Sequence, residues 1–277
     1  EDMQAKSTLL NIALNTSDAI AQLEQNIENG VNVSDNQRLL LISYYKNKQF
    51  DEALELADSV IADGMPVIGL TFTALIKLAT NEFAEGKRAF AQVLALDPNN
   101  INALQFFSDF HITATNYDEA LGYIQKVLAI DPYNLSSLNH LYNASLGLNT
   151  TRSYIDQFAN AYKVFPSRIE YRLLLASAHY AVQNFDGVIA LLGSYVTNRT
   201  TPPLFWSLLA SSKIAKKDFI GAQREYEKWR TTHPKSVEPY IAELGILELN
   251  NDWISSERLV NRALSQHPKI PMFKIIK

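Results

Sequence analysis

Pro98, Pro132 and Pro166 stand 34 residues apart, as do Pro234 and Pro268, and the gap between Pro166 and Pro234 is two such periods. A fixed period of this length is the mark of stacked supersecondary units, and it constrains the fold more than any local propensity. A second ladder keeps the same register. Phe50, Phe83, Tyr117, Phe185, Phe219 and Trp253 are spaced by 33 once and otherwise by 34 or its double, each 15 residues before a proline slot. The register divides the chain into units near 1–33, 34–66, 67–100, 101–134, 135–168, 169–202, 203–236 and 237–270, with 271–277 opening a further helix.

Within a unit the apolar period is helical. In 101–134, Ile101, Leu104, Phe107, Phe110 and His111 form one stripe, and Tyr117, Ala120, Leu121, Ile124, Val127 and Leu128 form a second. The polar run Thr113-Ala114-Thr115-Asn116 separates them. Asp131-Pro132 ends the second stripe, because proline cannot continue a helix and pushes its predecessor out of the helical region. Each unit therefore reads as helix, turn, helix, turn. One such hairpin cannot bury both of its faces, whereas stacked neighbours can. The expected fold is all-α, a solenoid of about eight antiparallel helix pairs forming a single domain.

Composition narrows the function. The 277 residues are 47% hydrophobic, enough for a sizeable core. The net charge of −4 does not advertise a nucleic-acid partner. The charge is uneven: residues 1–202 carry 13 Lys and Arg against 21 Asp and Glu, and residues 203–277 carry 12 against 8. The plain reading of this is drift among solvated faces. With no cysteine, disulfides, thiolate metal sites and cysteine nucleophiles are excluded. No apolar run is long enough to span a bilayer. The start, Glu1-Asp2-Met3, reads as a cut into a longer precursor.

Motifs that carry chemistry are missing: there is no G-x-S-x-G elbow, no phosphate-binding glycine loop and no i, i+4 histidine pair. His111 and His179 fall in one core slot two units apart, and His233 and His267 each precede a turn proline, so repetition accounts for them. Asp51-Glu52 and Asp118-Glu119 open second helices, where acidic residues favour the positive end of the helix dipole. The expectation is a non-enzyme with no cofactor and no metal.

The slots resemble those of tetratricopeptide repeats, which take a large residue at position 4, a small one at 8, an aromatic at 17, Ala at 20 and Pro at 32. Trp206, Leu209, Ala210, Phe219, Ala222, Tyr226 and Pro234 match in one unit, Leu104, Phe107, Ser108, Tyr117, Ala120 and Pro132 in another, and Leu40, Tyr44, Phe50 and Ala53 in a third. Two units depart. Tyr142 and Tyr154 occupy small slots and Thr151 an aromatic one, while Val188 and Tyr195 replace alanines and Thr200 replaces proline. These departures predict a changed packing angle or a bend near residues 140–202.

The resemblance implies a right-handed superhelix whose first helices line a concave groove. Carried over position by position, it implies a peptide-binding groove at Arg38, Tyr45, Gln105, Asp109, Asn139, Asn143, Ser177 and Tyr180. Amide side chains both donate and accept, so Gln105, Asn139 and Asn143 suit the backbone of an extended peptide. The expected function is a non-catalytic scaffold for a protein or peptide partner. The alternative is a regulatory or substrate-recruiting arm of an enzyme whose catalytic domain lies outside this segment. Stretches such as Glu225-Tyr-Glu-Lys-Trp-Arg-Thr-Thr-His-Pro234 also resemble the repeat lipoproteins of bacterial PEP-CTERM and exopolysaccharide systems, which implies a periplasmic, membrane-tethered parent. A third reading, self-association through the terminal units, rests on the apolar tail Pro271-Met-Phe-Lys-Ile-Ile276. A fourth, RNA binding, rests only on Lys213, Lys216, Lys217 and Arg224.

Overall fold

A computed structural model describes residues 17–271 and Phe273. The first helix expected in unit 1–33 and most of the apolar tail lie outside the described residues. Among the described residues fifteen α-helices follow one another: α1 Ser17–Glu28, α2 Val33–Lys46, α3 Phe50–Ala62, α4 Pro66–Ala79, α5 Phe83–Leu96, α6 Ile101–Thr113, α7 Tyr117–Ile130, α8 Leu135–Gly147, α9 Ile155–Val164, α10 Ile169–Ala181, α11 Phe185–Gly193, α12 Pro203–Ala215, α13 Phe219–Thr232, α14 Glu238–Leu249 and α15 Trp253–Gln266. No strand occurs among the described residues. The architecture is the all-α array of helix hairpins that the periodicity predicts. Each ladder aromatic from Phe50 to Trp253 is the first residue of a second helix.

The turns inside the hairpins share one geometry. Lys48, Asn81, Thr115, Asn149, Gln183, Lys217 and Asn251 all have φ between 55° and 66°. The residue after each returns a backbone hydrogen bond to the carbonyl five positions back, as from Gln49 to Tyr44 (2.9 Å) and from Asn116 to His111 (2.8 Å). This is the Schellman closure, which satisfies orphan carbonyls at a helix end by placing one residue in the left-handed region. Here that residue is never glycine.

The turns between hairpins explain the Asp-Pro-x-Asn runs. Asp97 Oδ1 accepts from the Asn99 amide (3.1 Å), and Asn100 Oδ1 accepts from the Ala103 amide (3.2 Å), capping α6. Asp131 and Asn134 repeat both bonds ahead of α8, at 3.2 Å and 3.1 Å. An Asx turn thus closes one helix while an N-cap opens the next.

The chain divides into two compact units, Glu1–Ser137 and Leu138–Lys277. In the first unit, consecutive helices bury small clusters, one built on Phe90, Val93, Ala103 and Phe107 and another on Leu41, Ala57 and Val60. Helices approach closely at two glycines. A Cβ on Gly69 would lie 2.5 Å from the Ala57 carbonyl oxygen and from Ile61 Cγ1, and one on Gly86 would lie 2.8 Å from Leu78 Cγ. In the second unit, Leu173, Leu192, Phe205, Trp206 and Trp229 form the largest cluster, and Tyr240, Leu244, Val260 and the buried Phe273 form another.

The departures near 140–202 take a definite local form. Thr151, in the aromatic slot, is buried and starts a 3-10 turn over Thr151–Tyr154 in place of the first turn of a helix, its hydroxyl 3.1 Å from that of Ser145. Tyr142, in a small slot, turns its ring edge to Phe158 and donates to the Ser177 carbonyl at 3.3 Å. Where Thr200 replaces proline, α11 stops after 9 residues. Arg172 lies over the rings of both Tyr162 and Tyr195 and donates to the Leu191 carbonyl at 2.7 Å, so it joins α10 to the end of α11.

Candidate functional site

The eight residues expected to line a groove divide four to each unit. In the first unit, Arg38 and Asp109 are exposed, and Tyr45 is half-buried with its ring near those of Phe50 and Phe72. Gln105 is half-buried, and its amide donates to Asn134 Oδ1 at 2.7 Å, the same oxygen that caps α8. That N–H is therefore engaged in the turn, which its spacing alone did not reveal. In the second unit, Asn139 and Asn143 stand exposed one turn apart on α8. On α10, Ser177 is buried, whereas Tyr180 is exposed and packs edge-on against Phe185. The arrangement pairs residues along single helices: Gln105 with Asp109 and Asn139 with Asn143 at i, i+4, and Ser177 with Tyr180 at i, i+3.

First helices also carry exposed apolar side chains. Phe110 on α6, Leu146 on α8, Tyr180 on α10, Leu204 on α12 and Ile241 on α14 are all at least one-third exposed. Lys87 Nζ sits 3.8 Å above the Phe110 ring. Three of them adjoin a buried residue: Ser145 precedes Leu146, Phe205 follows Leu204 and Tyr240 precedes Ile241.

His111 and His179 take packing roles. His111 stacks on Tyr123 with centroids 5.6 Å apart, and burial holds the His179 imidazole below its ordinary range while Nδ1 lies 3.1 Å from the Asn184 amide. The basic cluster considered for RNA is partly neutralised. Lys213 bonds Glu225 at 2.7 Å and Lys216 bonds Asp186 at 2.9 Å.

A cleft of about 410 Å³ opens among α13, α14 and α15 in the second unit. All four arginines of residues 203–277 line it: Arg224, Arg230, Arg258 and Arg262. Its carboxylates are already paired. Glu227 accepts a fork from Arg262 at 2.8 and 2.9 Å and two bonds from Arg230 at 3.2 and 2.7 Å. These bonds hold its carboxyl at about 2, chiefly through Arg262. The buried Arg230 also bonds Glu243 and lies over the Tyr240 ring. Burial pushes the Glu243 carboxyl up, and the Arg230 guanidinium only partly offsets this. Arg224 and Arg258 are exposed and form no ion pair among the described residues, although Arg258 acts at longer range on Asp252.

Sequence reading missed this cleft. The available signal was the repeat itself, because Ile220 and Arg224 recur one period later as Ile254 and Arg258.

By sequence, no family model and no curated protein matches the chain. By structure, the fold is that of tetratricopeptide repeat proteins. A tetratricopeptide repeat protein from Parabacteroides merdae superposes with a TM-score of 0.52 at 12% identity, over 87% of this chain and 96% of the other. PilW, a type IV pilus biogenesis factor, superposes with a TM-score of 0.58 at 14% identity, over 75% of this chain and 96% of PilW. The Cut9–Hcn1 hetero-tetramer of APC/C contains a chain that matches with a TM-score of 0.54 at 13% identity, over 94% of this chain but only 51% of that one.

Proposed function

We propose that this chain is a non-catalytic scaffold that holds a protein partner on the exposed faces of its first helices. The observation that carries this reading is the row of bare apolar side chains, Leu146, Tyr180, Leu204 and Ile241, set on successive first helices whose other faces are closed into core. Leu146 and Tyr180 stand one period apart, and exposed apolar groups carried by successive repeats mark an interaction surface. The amides of Asn139 and Asn143 beside Leu146 add donors and acceptors for a partner's backbone. A partner with apolar side chains in an extended or helical segment fits this surface. The narrower reading is a role in bacterial envelope or exopolysaccharide assembly. It rests on the resemblance of the repeat sequences, and fractionation of the native protein tests it.

Photo-crosslinking tests the scaffold reading directly. A photoreactive phenylalanine analogue at Asn143 or Tyr180 is expected to capture a partner in cell extract, and the same analogue at Glu119 on α7 is not. With that partner identified, the Asn139→Ala, Asn143→Ala double variant weakens binding about tenfold. Equal capture from both faces, or unchanged affinity of the double variant, overturns the reading.

A further inference from the structure

We infer that the face formed by α13 and α15 is a second docking site, separate from the first-helix faces, for an acidic amphipathic segment of a partner protein. The face is built by the repeat. Ile220 and Ile254 occupy equivalent positions on these two second helices, and Arg224 and Arg258 occupy equivalent positions one turn further along. The result is an apolar row beside a cationic row.

Both rows are bare. Ile220 is 65% exposed and Ile254 68%, and beside Ile254 the Trp253 ring is 64% exposed, while Trp206 and Trp229 are buried. A large aromatic left in water beside Ile254, with Ile220 exposed one period earlier, is an apolar patch that no described residue covers. The cationic row is bare because Glu227 and Glu243, the two carboxylates lining the cleft, are consumed by Arg230 and Arg262. The Arg230–Glu227–Arg262 network ties α13 to α15 and so fixes the spacing between the rows. Arg224 and Arg258 are then left facing a cleft with an excess of positive charge.

Charge complementarity selects the occupant. A segment alternating carboxylate and apolar side chains places acids on Arg224 and Arg258 and apolar groups on Ile220, Trp253 and Ile254. A purely anionic ligand leaves the apolar row in water, and a purely apolar one leaves the arginines unpaired.

The test uses the whole chain and a short fluorescein-labelled peptide of alternating Glu and Leu at low ionic strength, read by fluorescence anisotropy. Binding is expected, with a blue shift of Trp253 emission as its ring loses water. The Arg224→Glu, Arg258→Glu variant, with unchanged circular dichroism, is expected to weaken binding at least tenfold, and Trp253→Ala, Ile254→Ala several-fold. A Lys–Leu peptide is expected not to bind, and the Asn139→Ala, Asn143→Ala variant is expected to bind normally, which separates this site from the first-helix reading. The proposal is overturned if the charge reversal leaves affinity unchanged, or if an all-Glu peptide or a single-stranded RNA oligomer binds as tightly as the Glu–Leu peptide. It is also overturned if sedimentation shows a dimer that the charge reversal dissociates, since the occupant is then a second copy of this chain.

Discussion

Thr115 is the β-branched member of the left-handed series, at φ 59°, where Asn81, Asn149 and Asn251 serve in the equivalent turns. A Cβ branch crowds the following carbonyl in this region, whereas asparagine tolerates it. Thr115→Asn is therefore expected to stabilise the fold by about 0.5–1 kcal/mol, read as a higher urea midpoint with unchanged slope, and Asn149→Thr to lower it by a similar amount. Glu227 gives a second expectation. Its carboxyl, ordinarily near 4.5, is held at about 2 by Arg262 and Arg230. A depressed acid contributes stability that is present above its unfolded value and lost as pH falls through the folded one. Glu227→Gln should thus be less stable than the parent at neutral pH, and the gap should close between pH 4.5 and 2. A constant gap across that window shows that the pairing is not what lowers the group. At this scale the sequence was least legible. Nothing in its spacing told that Gln105 bonds Asn134, or that Ser177 is buried while Tyr180 is not, because such choices depend on side-chain neighbours far apart in sequence.

Helices were read more surely, because their ends are written in residues with a physical reason to be there. Proline at the helix stop, and an aromatic followed by acidic residues at the start of second helices, marked the hairpins. The aromatic ladder marks register, and register is not burial: Phe83 and Trp253 open their helices in solvent, at 64% exposure each. The departures were legible as departures, yet their form, a 3-10 turn at Thr151 and a truncated α11, needed the structure. Between elements, the buried contact most open to test is Arg230 on α13 with Glu243 on α14. Removing the guanidinium leaves a buried acid without its cation, a loss of about 3–5 kcal/mol. Arg230→Met is expected to lower stability by that order, and adding Glu243→Gln to recover most of it, because the remaining amide carries no charge. If the double variant is no more stable than the single, the cost lies in the lost packing of Arg230 on Tyr240 rather than in the orphaned acid.

For the whole molecule, the 34-residue period made the array legible before any contact was known, since every unit must bury its faces on its neighbours in sequence. Charge was misread at the same scale. The surplus of 12 basic over 8 acidic residues in 203–277 looked like drift, whereas all its arginines line one cleft. A count along the chain cannot distinguish the two, because residues one period apart become neighbours only through stacking. The same locality governs stability. The clusters on Leu41, Phe90 and Phe107 draw only on residues before 137, and those on Trp206 and Tyr240 only on residues after it. Stability in such arrays is close to a sum of local terms, so a cut at a turn between hairpins should spare what lies on each side. Fragments 1–134 and 135–277, divided after the Asp131-Pro132 turn, are expected each to keep helical circular dichroism and a cooperative urea transition, with midpoints below that of the intact chain. Loss of helix in either fragment shows that its core depends on the other half, and a single transition at the intact midpoint in both shows that neighbours across the cut contribute nothing.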